Sequence, residues 1–155
     1  MLLNAILLLV SLVSMEGLGF LAHKYVMHGV GWFLHKSHHE PHLWLFETND
    51  LYLLALALIA AGVGWFGRML WPPLQWVGIG VAAYGAIYVV VHDGIVHRHW
   101  PFRLRPRHPY LRRLYHAHLL HHAVKGRRHS VSFGFLYAPP VSKLNAQRRR
   151  RREEG

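Results

Sequence analysis

Ten histidines fall into four boxes whose spacing suits metal ligation: His23 and His28; His35, His38 and His39; His92 and His97; His118, His121 and His122. A pair followed by a triplet occurs twice. Each triplet stands at i, i+3 and i+4, positions that share one face of a helix, so its three imidazoles can converge. The pairs are five apart, which on an ideal helix separates them by roughly 140°. Either the helix unwinds there or the two imidazoles serve different metals. A zinc site needs only about four ligands. Ten imidazoles exceed that and suit two metals with about five each. Imidazole binds zinc, copper, nickel and iron alike, so the surroundings must choose. His42, His99, His108 and His116 are isolated and read as ordinary surface or core residues.

The chain of 155 residues has the length of one domain. It is 52% hydrophobic yet carries a formal charge of +11, a combination that fits a membrane protein with basic edges. The absence of cysteine excludes disulfides, thiolate metal sites and iron–sulfur clusters. With seven Asp and Glu against 15 histidines, any metal site must be built mainly from imidazole.

Three apolar runs must position the boxes. Residues Leu2–Ala22 are long enough to cross a bilayer. A retained span is expected there rather than a cleaved signal, because no basic segment precedes it and Glu16 sits late in it. Leu51–Gly67 and Leu74–Val91 form a hairpin, since Pro72 and Pro73 cannot continue a helix. Trp65, Trp71 and Trp76 mark its turn as interfacial. Of 18 Lys and Arg, only Arg68 lies at that turn, so the positive-inside rule puts residues 23–50 and 92–155 in the cytoplasm. All 15 histidines fall in those two segments, and none in the apolar spans. Tyr110–Ala123 reads as a basic amphipathic helix in the interface plane. The expected fold is all-α and integral to the inner (cytoplasmic) membrane, with about three to four transmembrane helices and a cytoplasmic histidine-rich di-metal cap. Residues 1–143 form the membrane domain, and 144–155 a basic, disordered tail held at anionic lipid, with no nucleic acid as partner.

This setting favours iron. The boxes sit beside apolar walls with no acid pair or nucleophile for hydrolysis, and a redox metal can activate O2 against an inert C–H bond. A metal transporter or metal buffer is the rival of another class, but transporters place their ligands near the midplane of the spans. Around the boxes, Glu16, Asp93 and His129 are candidates to orient ligand imidazoles by hydrogen bonds. Glu16 reads equally as an anchor in a substrate channel or as a structural bond to another span. Glu40 reads as a solvated carboxylate. Phe133, Phe135 and Tyr137, with Trp100 and Phe102, either line an apolar pocket or anchor the chain at the interface.

The chain resembles the bacterial-type β-carotene hydroxylases of the fatty-acid hydroxylase superfamily. The resemblance runs to about Lys143. It rests on MEG at Met15–Gly17, HKYVMHG at His23–Gly29, LHKSHH at Leu34–His39, HDGIVHRHWPFR at His92–Arg103 and LHHAVKGRRHSVSFGFLYAPP at Leu120–Pro140. The four-residue gap in the third box sets it apart from many superfamily members. The resemblance implies a non-haem di-iron site ligated by the ten box histidines. It implies O2 as oxidant and electrons from ferredoxin, its reductase and ultimately NAD(P)H. It also implies hydroxylation of a β-ionone ring at C3, taking β-carotene to β-cryptoxanthin and then zeaxanthin. Hydroxylases, desaturases and ketolases of fatty acids, sterols or other membrane lipids share this metal chemistry and remain alternatives. The Arg148–Arg152 run lies outside the resemblance.

Overall fold

Leu2–Leu21 forms helix α1, in which no residue is buried. A helix that is apolar all round, with little protein against it, is suited to lipid; Val13 is 70% exposed. The structure, a computed structural model, describes residues 1–40, 46–98 and 105–153. His42, His99, Trp100 and Phe102 lie outside these residues.

α1 does not end where its hydropathy falls. It runs on through a wide π turn at Ala22–Val30, kinked at Gly29. After Gly31 come a short helix, α2 (Trp32–His35), and a 3-10 turn at Lys36–His39. Helix α3 (Asp50–Leu70) and helix α4 (Gln75–Tyr88) form the expected hairpin, turned by extended Trp71 and a 3-10 turn at Pro72–Leu74. α4 also continues into a π turn, Val89–Val96. Among the described residues, three helical stretches are long and apolar enough to cross a membrane: Leu2–Val30, Asp50–Leu70 and Pro72–Val96. The apolar runs themselves hold no histidine, but the helices extend beyond them, and His23, His28 and His92 lie on these continuations. No proline interrupts either helix at its box, so the backbone stays helical past the apolar residues.

Small residues let the spans close up. A Cβ on Gly78 would come within 2.6 Å of the Ala60 carbonyl oxygen of α3, and one on Gly80 within 2.6 Å of the Leu8 carbonyl oxygen of α1. α4 therefore packs between its two neighbours.

Helix α5 (Pro109–His122) starts on proline, and its N-cap His108 accepts from the Tyr110 amide. Leu114 and Ala117 of α5 bury against Val131, Ala138 and Leu144. The stretch from 144, expected as a disordered tail, is helical through Glu153 in α6 (Val141–Glu153). Leu144 is fully buried, and the Arg151 guanidinium donates to the Ser130 carbonyl. One apolar anchor and one carbonyl contact thus hold a helix whose composition alone reads as solvated.

Candidate metal centre

The box pairs meet because their helices widen. In a π turn the backbone bond runs from residue i+5 to residue i. The His97 amide donates to the His92 carbonyl at 2.8 Å, linking the third box end to end. The His92 and His97 rings then lie 4.6 Å apart, and those of His23 and His28 5.2 Å apart.

The ten imidazoles gather in two adjoining groups. His23, His28, His35 and His121 each offer a nitrogen within 4.8 Å of the others, and so do His38, His97, His118 and His122. His92 joins the second group, its Nε2 3.2 Å from that of His38. His39 reaches both His121 and His122, and its ring stacks on His122 at 4.3 Å.

Among the described residues, seven of these rings are held from behind through Nδ1. His23 donates to the Phe133 carbonyl, His28 to that of Arg127, His39 to that of Val124 and His121 to that of Val131, at 2.9 to 3.2 Å. His35 donates to the Asn49 side-chain oxygen, His38 to Glu47 and His92 to Asp93, each at 2.6 Å. A carbonyl oxygen can only accept, so Nδ1 carries the proton and Nε2 of the neutral ring is bare. Bare nitrogens nevertheless face one another: His23–His35 at 3.2 Å, His28–His121 at 3.0 Å and His38–His92 at 3.2 Å. The Nε2 atoms of His97 and His118 stand 2.7 Å apart. Nε2 of His39 and of His122 is buried without a hydrogen-bond partner among the described residues.

Such an array needs a cation at its centre. Protons are poor candidates. Burial, ahead of repulsion from neighbouring histidines, pushes His35 down to about 3 and His39 down to about 4. Burial likewise holds His38, His118 and His121 well below the usual histidine range. A metal fits better. Two nitrogens each about 2.1 Å from one metal lie roughly 3.0 Å apart at a right angle and about 3.4 Å apart at a tetrahedral one. The observed 2.7 to 3.2 Å brings these nitrogens close enough to share a metal ion.

A cavity of about 310 Å³ opens beside the centre, between α1, α3 and α4. Leu18, Leu53, Leu56 and Ile59 form apolar walls, while Asn49, Tyr88, Asp93 and Phe135 line it next to the histidines.

No protein-family model and no solved structure matches the chain. Curated relatives do. A beta-carotene hydroxylase of Pantoea ananas is 53% identical over 148 residues, covering 96% of this chain and 85% of that protein. A beta-carotene hydroxylase of Paracoccus sp. (strain PC1) is 49% identical, covering 94% and 90%. The chain belongs to the beta-carotene hydroxylase family. A chloroplastic beta-carotene 3-hydroxylase of Arabidopsis thaliana is 37% identical over 131 residues, 82% of this chain and 42% of the plant protein.

Within this family member, the candidates around the boxes fare differently. Asp93 does hold an imidazole, that of His92. Glu16 touches none of the box histidines among its hydrogen bonds. Its carboxylate accepts from the Tyr84 hydroxyl at 3.0 Å and from the amides of Phe135, Leu136 and Tyr137 at 2.9 to 3.1 Å. It therefore joins span to span and pins the loop that carries Phe135, whose ring stacks on His23 at 4.9 Å. A Cβ on Gly134 would come within 2.4 Å of the Tyr137 carbonyl and 2.8 Å of the Glu16 carboxylate, so the tight turn needs glycine. His129 is exposed and makes no hydrogen bond among the described residues, so it orients no imidazole there. Phe135 lines the cavity. Phe133 is buried against His23, His28 and His121. Tyr137 is 64% exposed and away from the cavity wall. Glu40 pairs with Lys36 at the surface, as a solvated carboxylate does.

Sequence reasoning missed Glu47, Asn49 and Tyr88. Glu47 and Asn49 stand just before α3, where acid and amide residues also serve as ordinary caps. Thr48 ties this segment to the second box through its hydroxyl contacts with Leu34 and Ser37. Tyr88 stacks on His92 at 4.4 Å; four residues before the third box, it shares a helix face with that histidine.

Proposed function

We propose that the chain hydroxylates the β-ionone rings of carotenoids at C3, converting β-carotene to β-cryptoxanthin and then to zeaxanthin. The observation that carries this reading is the pair of inward-facing imidazole groups beside an apolar cavity, in a chain of this family. The ten box histidines would hold two iron ions, five to each. When bound, the iron pair would supply the O2 activation that no side chain can provide. The overall balance is R–H plus O2 plus two electrons and two protons, giving R–OH and water. The electrons come from a reduced ferredoxin-type carrier, regenerated with NAD(P)H.

The protein's own share is positional. Seven Nδ1 hydrogen bonds fix the rings and their tautomers. The cavity walls exclude water and bring one end of the substrate to the histidines. A volume of about 310 Å³ suits a ring and not a whole forty-carbon chain, so the polyene stays in the bilayer while its end is oxidised. Stacking of Phe135 on His23 places one aromatic wall of the cavity directly against the centre.

Expression in a host that accumulates β-carotene tests the reading. Zeaxanthin and β-cryptoxanthin are expected in the pigment extract. Unchanged β-carotene in an iron-replete host, with the protein present in the membrane, would refute it.

A further inference from the structure

The loop that follows α5 holds the centre with its backbone and presents cations with its side chains. Its Val124 and Arg127 carbonyls accept from His39 and His28, while Lys125, Arg127 and Arg128 are exposed. α6 adds to the same surface, because Arg151 donates to the Ser130 carbonyl and so sets that end of the helix beside the loop, with Arg149, Arg150 and Arg152 exposed. Trp32, half-buried, packs at 5.2 Å on both His28 and His39. Few acids offset this charge. Of seven Asp and Glu, Glu16, Glu47, Asp50, Asp93 and Glu40 are engaged with amides, imidazoles or Lys36, and Glu153 and Glu154, which follow the five arginines in the sequence, offset only two of their charges.

We propose that this surface is the docking site of the electron donor: an acidic, soluble one-electron carrier protein seats on the 125–128 loop and the α6 arginines. The inference rests on the oxygenase reading above and names where its electrons enter. A donor seated there stands one hydrogen bond from two imidazoles of the first group, through backbone that the docking residues share. Anionic lipid would satisfy the charges equally well. It would have no use for a basic loop whose carbonyls hold His28 and His39, and this favours the protein partner. Opposite charge at such a rim chiefly speeds and orients encounter and is weakened by salt.

The test is binding, read without substrate. The iron-loaded chain in phosphatidylcholine nanodiscs is titrated with a plant-type [2Fe–2S] ferredoxin, an acidic protein. The double variant Lys125→Glu/Arg128→Glu is expected to weaken binding roughly tenfold at low salt, and raising the salt to about 0.5 M to weaken wild-type binding comparably. Arg68→Glu, at the far turn of the hairpin, is expected to leave binding unchanged. Absence of ferredoxin binding by the wild type, or equal binding by the double variant, overturns the proposal. So does a double variant that binds ferredoxin normally and loses affinity for phosphatidylglycerol vesicles, which assigns the patch to lipid headgroups. A chain that binds ferredoxin through this loop yet leaves β-carotene unchanged upholds the docking site and refutes the proposed reaction.

Discussion

Replacing Glu47 with glutamine should weaken one metal position and spare the other. The two imidazole groups are backed differently. In the first, His23, His28, His39 and His121 lean on neutral carbonyls and His35 on the Asn49 amide. In the second, His38 and His92 lean on the carboxylates of Glu47 and Asp93. Glu47 and His38 meet at 2.6 Å with side chains 5% and 2% exposed, so solvent screens the contact little. Glutamine preserves size and one acceptor but removes the charge. A charge-assisted hydrogen bond is roughly twice as strong as a neutral one, and loss of such support typically costs about 10- to 100-fold in metal affinity, roughly 1.4 to 2.7 kcal/mol. Chelator competition on the purified, iron-loaded protein reads this directly. At a chelator level where the wild type keeps both ions, Glu47→Gln is expected to keep one, with hydroxylation falling in step. Loss of both ions together, or retention of both, would show that the carboxylate does not distinguish the two positions.

Other expectations follow from the same geometry. Glu16→Ala strips the acceptor from three amides and the Tyr84 hydroxyl, at a cost of about 2 to 4 kcal/mol. A lower thermal midpoint in detergent should accompany the lost activity, and Glu16→Gln should recover part of both. His121→Ala should abolish turnover and lower iron content, measured by elemental analysis; an active variant would remove His121 from the ligand set. Leu56→Trp fills the cavity and should block pigment conversion while leaving iron content unchanged. His35 and His39 are held down to about 3 and about 4, below the ordinary histidine value of about 6.5. The unfolded chain therefore binds more protons between those limits. Stability of the metal-free protein should fall as pH drops from about 6.5 toward 4, by about 1.4 kcal/mol per pH unit for each histidine, and stay flat with respect to these groups above 6.5. Thermal unfolding across that range checks the slope.

The boxes, the three membrane-capable helices and the proline turn were legible because each has a local signature: i, i+3 and i+4 histidines, long apolar runs, and Pro72 with Pro73. The five-residue pairs were legible only as a dilemma. An ideal helix separates such residues, and nothing in the sequence announces that the backbone will widen, yet the His97 amide reaches the His92 carbonyl through a π turn. Glu47 and Asn49 were hidden for a different reason. Their partners, His38 and His35, are 9 and 14 residues away, and the segment looks like an ordinary helix start. Glu16 was noticed as an acid in a span, but its partners, at Tyr84 and Phe135–Tyr137, lie 68 to 121 residues distant. Such long-range pairings are set by packing rather than by pattern. The loop from Val124 to Phe133 shows the limit most clearly. Phe133 is visible there by its side chain, but the loop also holds the centre through the carbonyl oxygens of Val124, Arg127, Val131 and Phe133, which every residue owns and no sequence motif displays.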